Sequence, residues 1–122
     1  MEAVKADLVK QIKENEVVVW AKYKCPFCDM TRTRLDGLGA KYKWIDLIND
    51  DLGGFKAQDI QACFDTEDFF GKEAGSNEGL KVTKPQRTVP NIWIGQEQIG
   101  GYDDLKGLSD EDIKEKLKAA AS

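Results

Sequence analysis

The apolar run Val17-Val18-Val19-Trp20-Ala21 leads within four residues to Cys25-Pro26-Phe27-Cys28. A β-branched and aromatic run without alternation suits a strand buried on both faces. Beyond it, Cys28, Thr31, Leu35 and Leu38 fall on one helical face, and Gly37 and Gly39 mark the helix end. A buried strand that turns at once into a helix calls for a central sheet with a helix packed on it.

The flanking segments extend this plan. Val4, Leu8 and Ile12 predict an amphipathic helix over residues 3 to 14. Lys41 to Leu47 reads as a second strand, Asn49 to Gly54 as turn chemistry, and Phe55 to Phe64 as a further helix. Residues 65 to 85 are rich in Asp, Glu, Gly, Ser and Asn. Their apolar anchors are Phe69, Phe70, Leu80 and Val82, so a long loop, or a loop holding one short helix, is expected. Asn91 to Ile94 and Glu97 to Ile99 flank Gly95-Gln96 as a hairpin, which Gly100-Gly101 closes. Ser109 with Asp112 predicts the cap of a last helix, with Ile113 and Leu117 on its apolar face. The sum is an α/β fold: one four-stranded mixed sheet flanked by helices on both faces.

Composition narrows function. A chain of 122 residues suits one domain, and 41% hydrophobic with 33% charged residues is the balance of a globular protein. A net charge of −4 gives no basic footprint for nucleic acid or an anionic membrane, and the longest apolar run, Val17 to Ala21, is far short of a membrane span. Glu2, Lys5, Asp7 and Lys10 interrupt any secretion-type stretch at the N-terminus. Three cysteines are not the framework of a small secreted disulfide protein. A structural zinc site wants four Cys or His ligands, and three Cys with no His do not supply them, so no metal is expected. Without His, no imidazole activates a nucleophile.

The turn itself can do so. Pro26 suits the first helical turn, leaving Cys25 at the helix N-terminus, where unpaired N–H groups and the dipole favour a thiolate. Lys22 and Lys24 add positive charge, and such settings depress a thiol pKa from about 8.5 into roughly 3.5–7.5. Cys28, one turn on, suits a resolving role, while Cys63 reads as a buried thiol without a task. Taken singly, Pro90 before a strand, Gly100-Gly101 as a turn and Asp103-Asp104 as a helix cap are ordinary.

Together and in order, Lys22-x-x-Cys25-Pro26-Phe27-Cys28, Ile60-Gln61, Thr88-Val89-Pro90 and Gly100-Gly101-Tyr102-Asp103-Asp104-Leu105 resemble the glutaredoxin family over most of the chain. The resemblance implies one thioredoxin-fold domain over residues 1–122, with Pro90 in cis facing Cys25 and residues 65–85 as an insertion. It implies glutathione as co-substrate, with Lys22 and Gln61 at the glycine carboxylate and the Val89 backbone pairing with the cysteinyl part. Thr88 and Pro90 would shape that wall, Phe27 would line the groove floor, and Gly101, Tyr102 and Asp103 would receive the γ-glutamyl group. Asp104 is assigned to capping. Glutathionylated or disulfide-containing proteins would be the substrates, a monomer the expected state, and the cytosol the default compartment, or a reducing organelle if a transit peptide has been removed.

Phe27 stands where many relatives carry Tyr, and Tyr102 where the residue is often smaller. For residues 65–85 a plain surface loop is the expectation; the alternatives are a cover over the groove or a partner contact through Phe69 and Phe70. Three other functions compete. A thioredoxin-like reductase needs no glutathione, but Lys22, Thr88 and the Gly-Gly-x-Asp segment suit a small charged ligand. An iron–sulfur carrier would use Cys25 and glutathione between two subunits, yet such relatives usually have Gly or Ser where Pro26 stands. A redox-dead module conflicts with two intact cysteines.

Overall fold

The computed structural model describes residues 2–66, 69 and 79–122. Helix α1 (Glu2–Glu14) leads to β1 (Val17–Ala21), α2 (Pro26–Gly37), β2 (Lys43–Asp46) and α3 (Ala57–Phe64). The hairpin β3 (Asn91–Ile94) and β4 (Glu97–Gly100) follows, then α4 (Tyr102–Lys106) and α5 (Asp110–Ala120). The sheet order is β2-β1-β3-β4; β1 and β2 are parallel, and the other two pairings are antiparallel. The expected four-stranded mixed sheet with helices on both faces is what forms.

All of β1 is buried, and its period of two divides it between two cores. Val18 and Trp20 join Trp93 and the inner faces of α1 and α3. Val17, Val19 and Ala21 join Ile92, Ile94, Cys28, Leu35, Leu105 and Ile113, beneath α2, α4 and α5. At the hairpin, Gly95 and Gln96 both take positive φ, +58° and +67°, as a two-residue turn matched to the strand twist requires. Ser109 caps α5 by accepting the Asp112 N–H at 3.1 Å.

Two differences from the sequence reading matter. Helix α4 was not expected; the Asp103-Asp104 pair signalled a cap without the five-residue helix that follows it. The segment after Gln61 is also more than a surface loop. Phe69 is fully buried, edge-on to Phe64 and Trp93 with ring centroids 4.9 and 6.0 Å away, and Leu80 lies in the same core. A partner contact through Phe69 is therefore ruled out by its burial; Phe70 lies outside the described residues. Beyond Leu80 the chain runs beside β4, where the Lys81 N–H bonds the Gln96 carbonyl at 3.0 Å and the Gln98 N–H bonds the Lys81 carbonyl at 2.9 Å.

Candidate active site

The turn between β1 and α2 is tight. The Cys25 N–H bonds the Lys22 carbonyl at 3.2 Å, and Lys24 between them takes a φ of +62°. Asp46, at the end of β2, braces this turn by accepting the Tyr23 N–H at 3.3 Å and the Ile48 N–H at 2.9 Å. Burial pushes the Asp46 carboxyl up, but donors from Ile48, Asn49 and Tyr23 outweigh it and hold the group below the usual carboxylate range.

Cys25 caps α2 with its side chain, Sγ accepting the Cys28 N–H at 3.3 Å, and Pro26 opens the helix where its missing N–H costs nothing. The two thiols differ sharply. Cys25 is half-buried, whereas Cys28 is fully buried among Ala21, Leu35 and Ile92. Burial first, then the hydrogen bond with Cys25, pushes the Cys28 thiol up to about 12, so it is a neutral thiol at physiological pH. Cys63 is buried in the opposite core, on α3.

Beside the turn lies a cleft of about 370 Å³ that gathers Phe27, Thr88, Val89, Pro90, Gly101, Tyr102 and Asp103. The Val89–Pro90 peptide is cis. The Phe27 and Tyr102 rings stack at 5.9 Å, and Phe27, which is exposed, lines the cleft beside Tyr102. Two expected residues do not line the cleft. Lys22 is half-buried on the cysteine turn, and Gln61 donates through Nε2 to the Arg87 carbonyl at 2.9 Å. Gln61 is thus held beside Arg87, the residue before Thr88. Neither cysteine lines this cleft or the larger one of about 490 Å³ with Trp20, Trp44 and Asp51 in its lining, but Phe27, between the two cysteines, lines the smaller one. The Cys25–Cys28 turn, through Phe27, singles out the smaller cleft, and size does not.

The sequence reading missed the residues that hold the far wall. Gln86 lines the cleft and donates to Thr88 Oγ1 at 2.9 Å. Lys84 also lines it and pairs with Asp104 at 2.6 Å. Asp104 in turn accepts the Gly101 N–H at 2.9 Å, the capping role expected of it. Burial raises the Asp104 carboxyl, and the Lys84 and Gly101 donors more than reverse this, leaving it below the usual range. Arg34 of α2 reaches the carbonyls of Leu105 at 2.5 Å and Leu108 at 2.7 Å, tying α4 to the cysteine helix. One signal was available: Gln98 is a polar residue at an inward position of a strand.

Comparison with known proteins agrees with this architecture. Residues 17–62 match the glutaredoxin family model. The chain is 37% identical over 100 residues to glutaredoxin-C2 of Arabidopsis thaliana, spanning 81% of this chain and 72% of that protein. To a glutaredoxin of Ricinus communis it is 36% identical over 92 residues, 75% and 71% of the two chains. The crystal structure of a buckwheat glutaredoxin–glutathione complex superposes with a TM-score of 0.72 at 26% identity, over 98% of this chain and 92% of that one. By sequence over most of its length, and by a sheet that sets a Cys-x-x-Cys turn at a helix N-terminus, this chain belongs to the glutaredoxin family and is a thiol–disulfide oxidoreductase.

Proposed function

We propose that the protein is a glutathione-dependent oxidoreductase that reduces protein–glutathione mixed disulfides and protein disulfides, with Cys25 as nucleophile and Cys28 as resolving thiol. The observation that carries this reading is the asymmetry of the two thiols: Cys25 is half-buried at the edge of α2, and Cys28 is sealed beneath it and held protonated. An exchange nucleophile needs access, which Cys25 has and Cys28 lacks.

The Cys25 thiolate attacks the glutathione sulfur of a mixed disulfide; the Cys25–glutathione S–S bond forms, and the protein thiolate leaves and takes a proton from solvent. A second glutathione thiolate attacks the same glutathione sulfur, forming oxidised glutathione and restoring the Cys25 thiolate. Alternatively Cys28 loses its proton and attacks Cys25, expelling glutathione and closing an internal disulfide.

Glutathione carries two carboxylates and one ammonium. Val89 would pair with its cysteinyl backbone as an added strand, framed by Thr88 and Pro90. Tyr102 and Asp103, beside Gly101 at the start of α4, would receive the γ-glutamyl group, with Phe27 closing that side. Lys22 and Gln61 remain the candidates for the glycine carboxylate. Such chemistry suits a reducing compartment, the cytosol by default.

The test is a glutathione-coupled assay on a glutathionylated peptide. Activity is expected to vanish in Cys25→Ser and largely survive in Cys28→Ser. A wild type whose Cys25–Cys28 disulfide can be reduced yet which turns over no mixed disulfide would refute the glutathione reading.

A further inference from the structure

Lys84 lines the cleft beside Gly101, Tyr102 and Asp103, and its position is built by the fold on three sides. Its backbone is clamped by Gln98, whose buried side chain accepts the N–H groups of Thr83 at 2.8 Å and Lys84 at 3.1 Å and donates to the Lys84 carbonyl at 2.9 Å. Its stem passes over Gly100, which has a φ of +113°; a Cβ there would stand 3.1 Å from Lys84 Cε and collide with the Asp104 carboxylate. Its ammonium rests on Asp104 at 2.6 Å, beside the N–H of Gly101 that Asp104 also accepts.

Charge gives this arrangement a purpose. Asp103 and Asp104 place two carboxylates at this end of the cleft, and alone they would repel an incoming carboxylate. Gln86, the neighbouring polar side chain, spends its amide on Thr88. Among the described residues that line the cleft, Lys84 is the one cation. An ammonium has three donors, Asp104 takes one, and the side chain is 43% exposed. The γ-glutamyl end of glutathione is a zwitterion, which needs an anion and a cation side by side.

We propose that Lys84 is a specificity-determining residue that receives the α-carboxylate of the γ-glutamyl group, while Asp103 faces the α-ammonium. This rests on the glutathione reading and adds to it a cation at the end of the ligand opposite Lys22.

The experiment compares three mixed disulfides of one peptide, formed with glutathione, γ-glutamylcysteine and cysteinylglycine, on the wild type, Lys84→Gln and Lys84→Arg. Lys84→Gln is expected to raise KM roughly three- to tenfold for the two γ-glutamyl substrates, with kcat kept and cysteinylglycine unaffected. Lys84→Arg should recover most of the loss. An equal loss on all three substrates would make Lys84 a structural residue and overturn the proposal, as would no loss on any. If the wild type turned over none of them, the glutathione reading itself would fall; a wild type active on glutathione with an indifferent Lys84→Gln would remove this inference alone.

Discussion

The site has two sides made in different ways, and they meet at a cleft that Phe27 lines from the cysteine side. The cysteine wall is regular structure: a buried strand, a four-residue turn and a helix whose Cys28 N–H meets the Cys25 sulfur. The wall from Leu80 to Asp104 begins as irregular chain held by its own polar side chains: Gln98 clamps Thr83 and Lys84, Gln86 holds Thr88, and Asp104 ties Gly101 to Lys84. Local backbone geometry thus places the Cys25 sulfur, and polar side-chain contacts place the surface beside it. The chemistry and the choice of substrate can therefore be perturbed separately.

The largest separation is expected from Cys25→Ser. Exchange should disappear, while the melting temperature stays close to that of the wild type, since one half-buried cap atom is replaced by a hydroxyl that caps as well. A large fall in melting temperature would mean that the thiol is structural.

Gln98→Leu attacks the other wall. It orphans the Thr83 and Lys84 N–H groups and the Lys84 carbonyl, and a loss of about 2–3 kcal/mol by urea unfolding is expected. Under native conditions Cys25 should still alkylate at the wild-type rate; a slowed reaction would show that the walls are not independent.

Base should distinguish the two thiols. The folded Cys28 thiol lies at about 12 against an ordinary 9.0, so its contribution is fully present below about pH 9 and is lost as pH rises toward 12. By pH 10 the wild type should lose about 1.4 kcal/mol more than Cys28→Ser, whose lysines and tyrosines titrate alike. Matching pH profiles would count against burial as the cause.

The smallest effect belongs to Asp104→Asn. An amide oxygen can still cap Gly101, and the pair with Lys84 is more than a third exposed, so about 0.5–1 kcal/mol is expected. The Asp104 carboxyl is held low in the folded state, so its contribution is present above the unfolded pKa and fades as pH falls through the folded one. Acid should therefore narrow the gap between Asp104→Asn and wild type; a gap constant down to pH 2 would refute the charge argument.

The same division explains what the sequence disclosed. The cysteine wall was legible because its signals are contiguous: five apolar residues, then Cys-Pro, then a helical face ending at Gly39. The hairpin followed from Gly95-Gln96, and α5 from Ser109. Helix α4 was not legible, because five residues are too short for periodicity, and Arg34 holds it from 71 positions away. Phe69 and Leu80 looked like anchors of a loop; only the packing of Trp93 and Phe64 against Phe69, with Leu80 in the same core, makes them core. Lys84 sits in a polar stretch whose composition resembles any surface, and its meaning comes from a glycine and a carboxylate beyond the hairpin.

The bridge between Lys81 and Glu97 has a consequence for how the molecule meets its own copies. A free outer strand presents a row of N–H and C=O groups on which another chain can build. Along β4 the Gln96 carbonyl and the Gln98 N–H are already taken by Lys81 of the same chain. A foreign strand could join there only by first displacing that segment and pulling Leu80 out of the core. The other margin of the sheet is β2, four residues long and opened by a lysine, a poor template for growth. The stretch at Leu80 and Lys81 thus gives the sheet a built-in selvedge against fibrous or strand-swapped assembly.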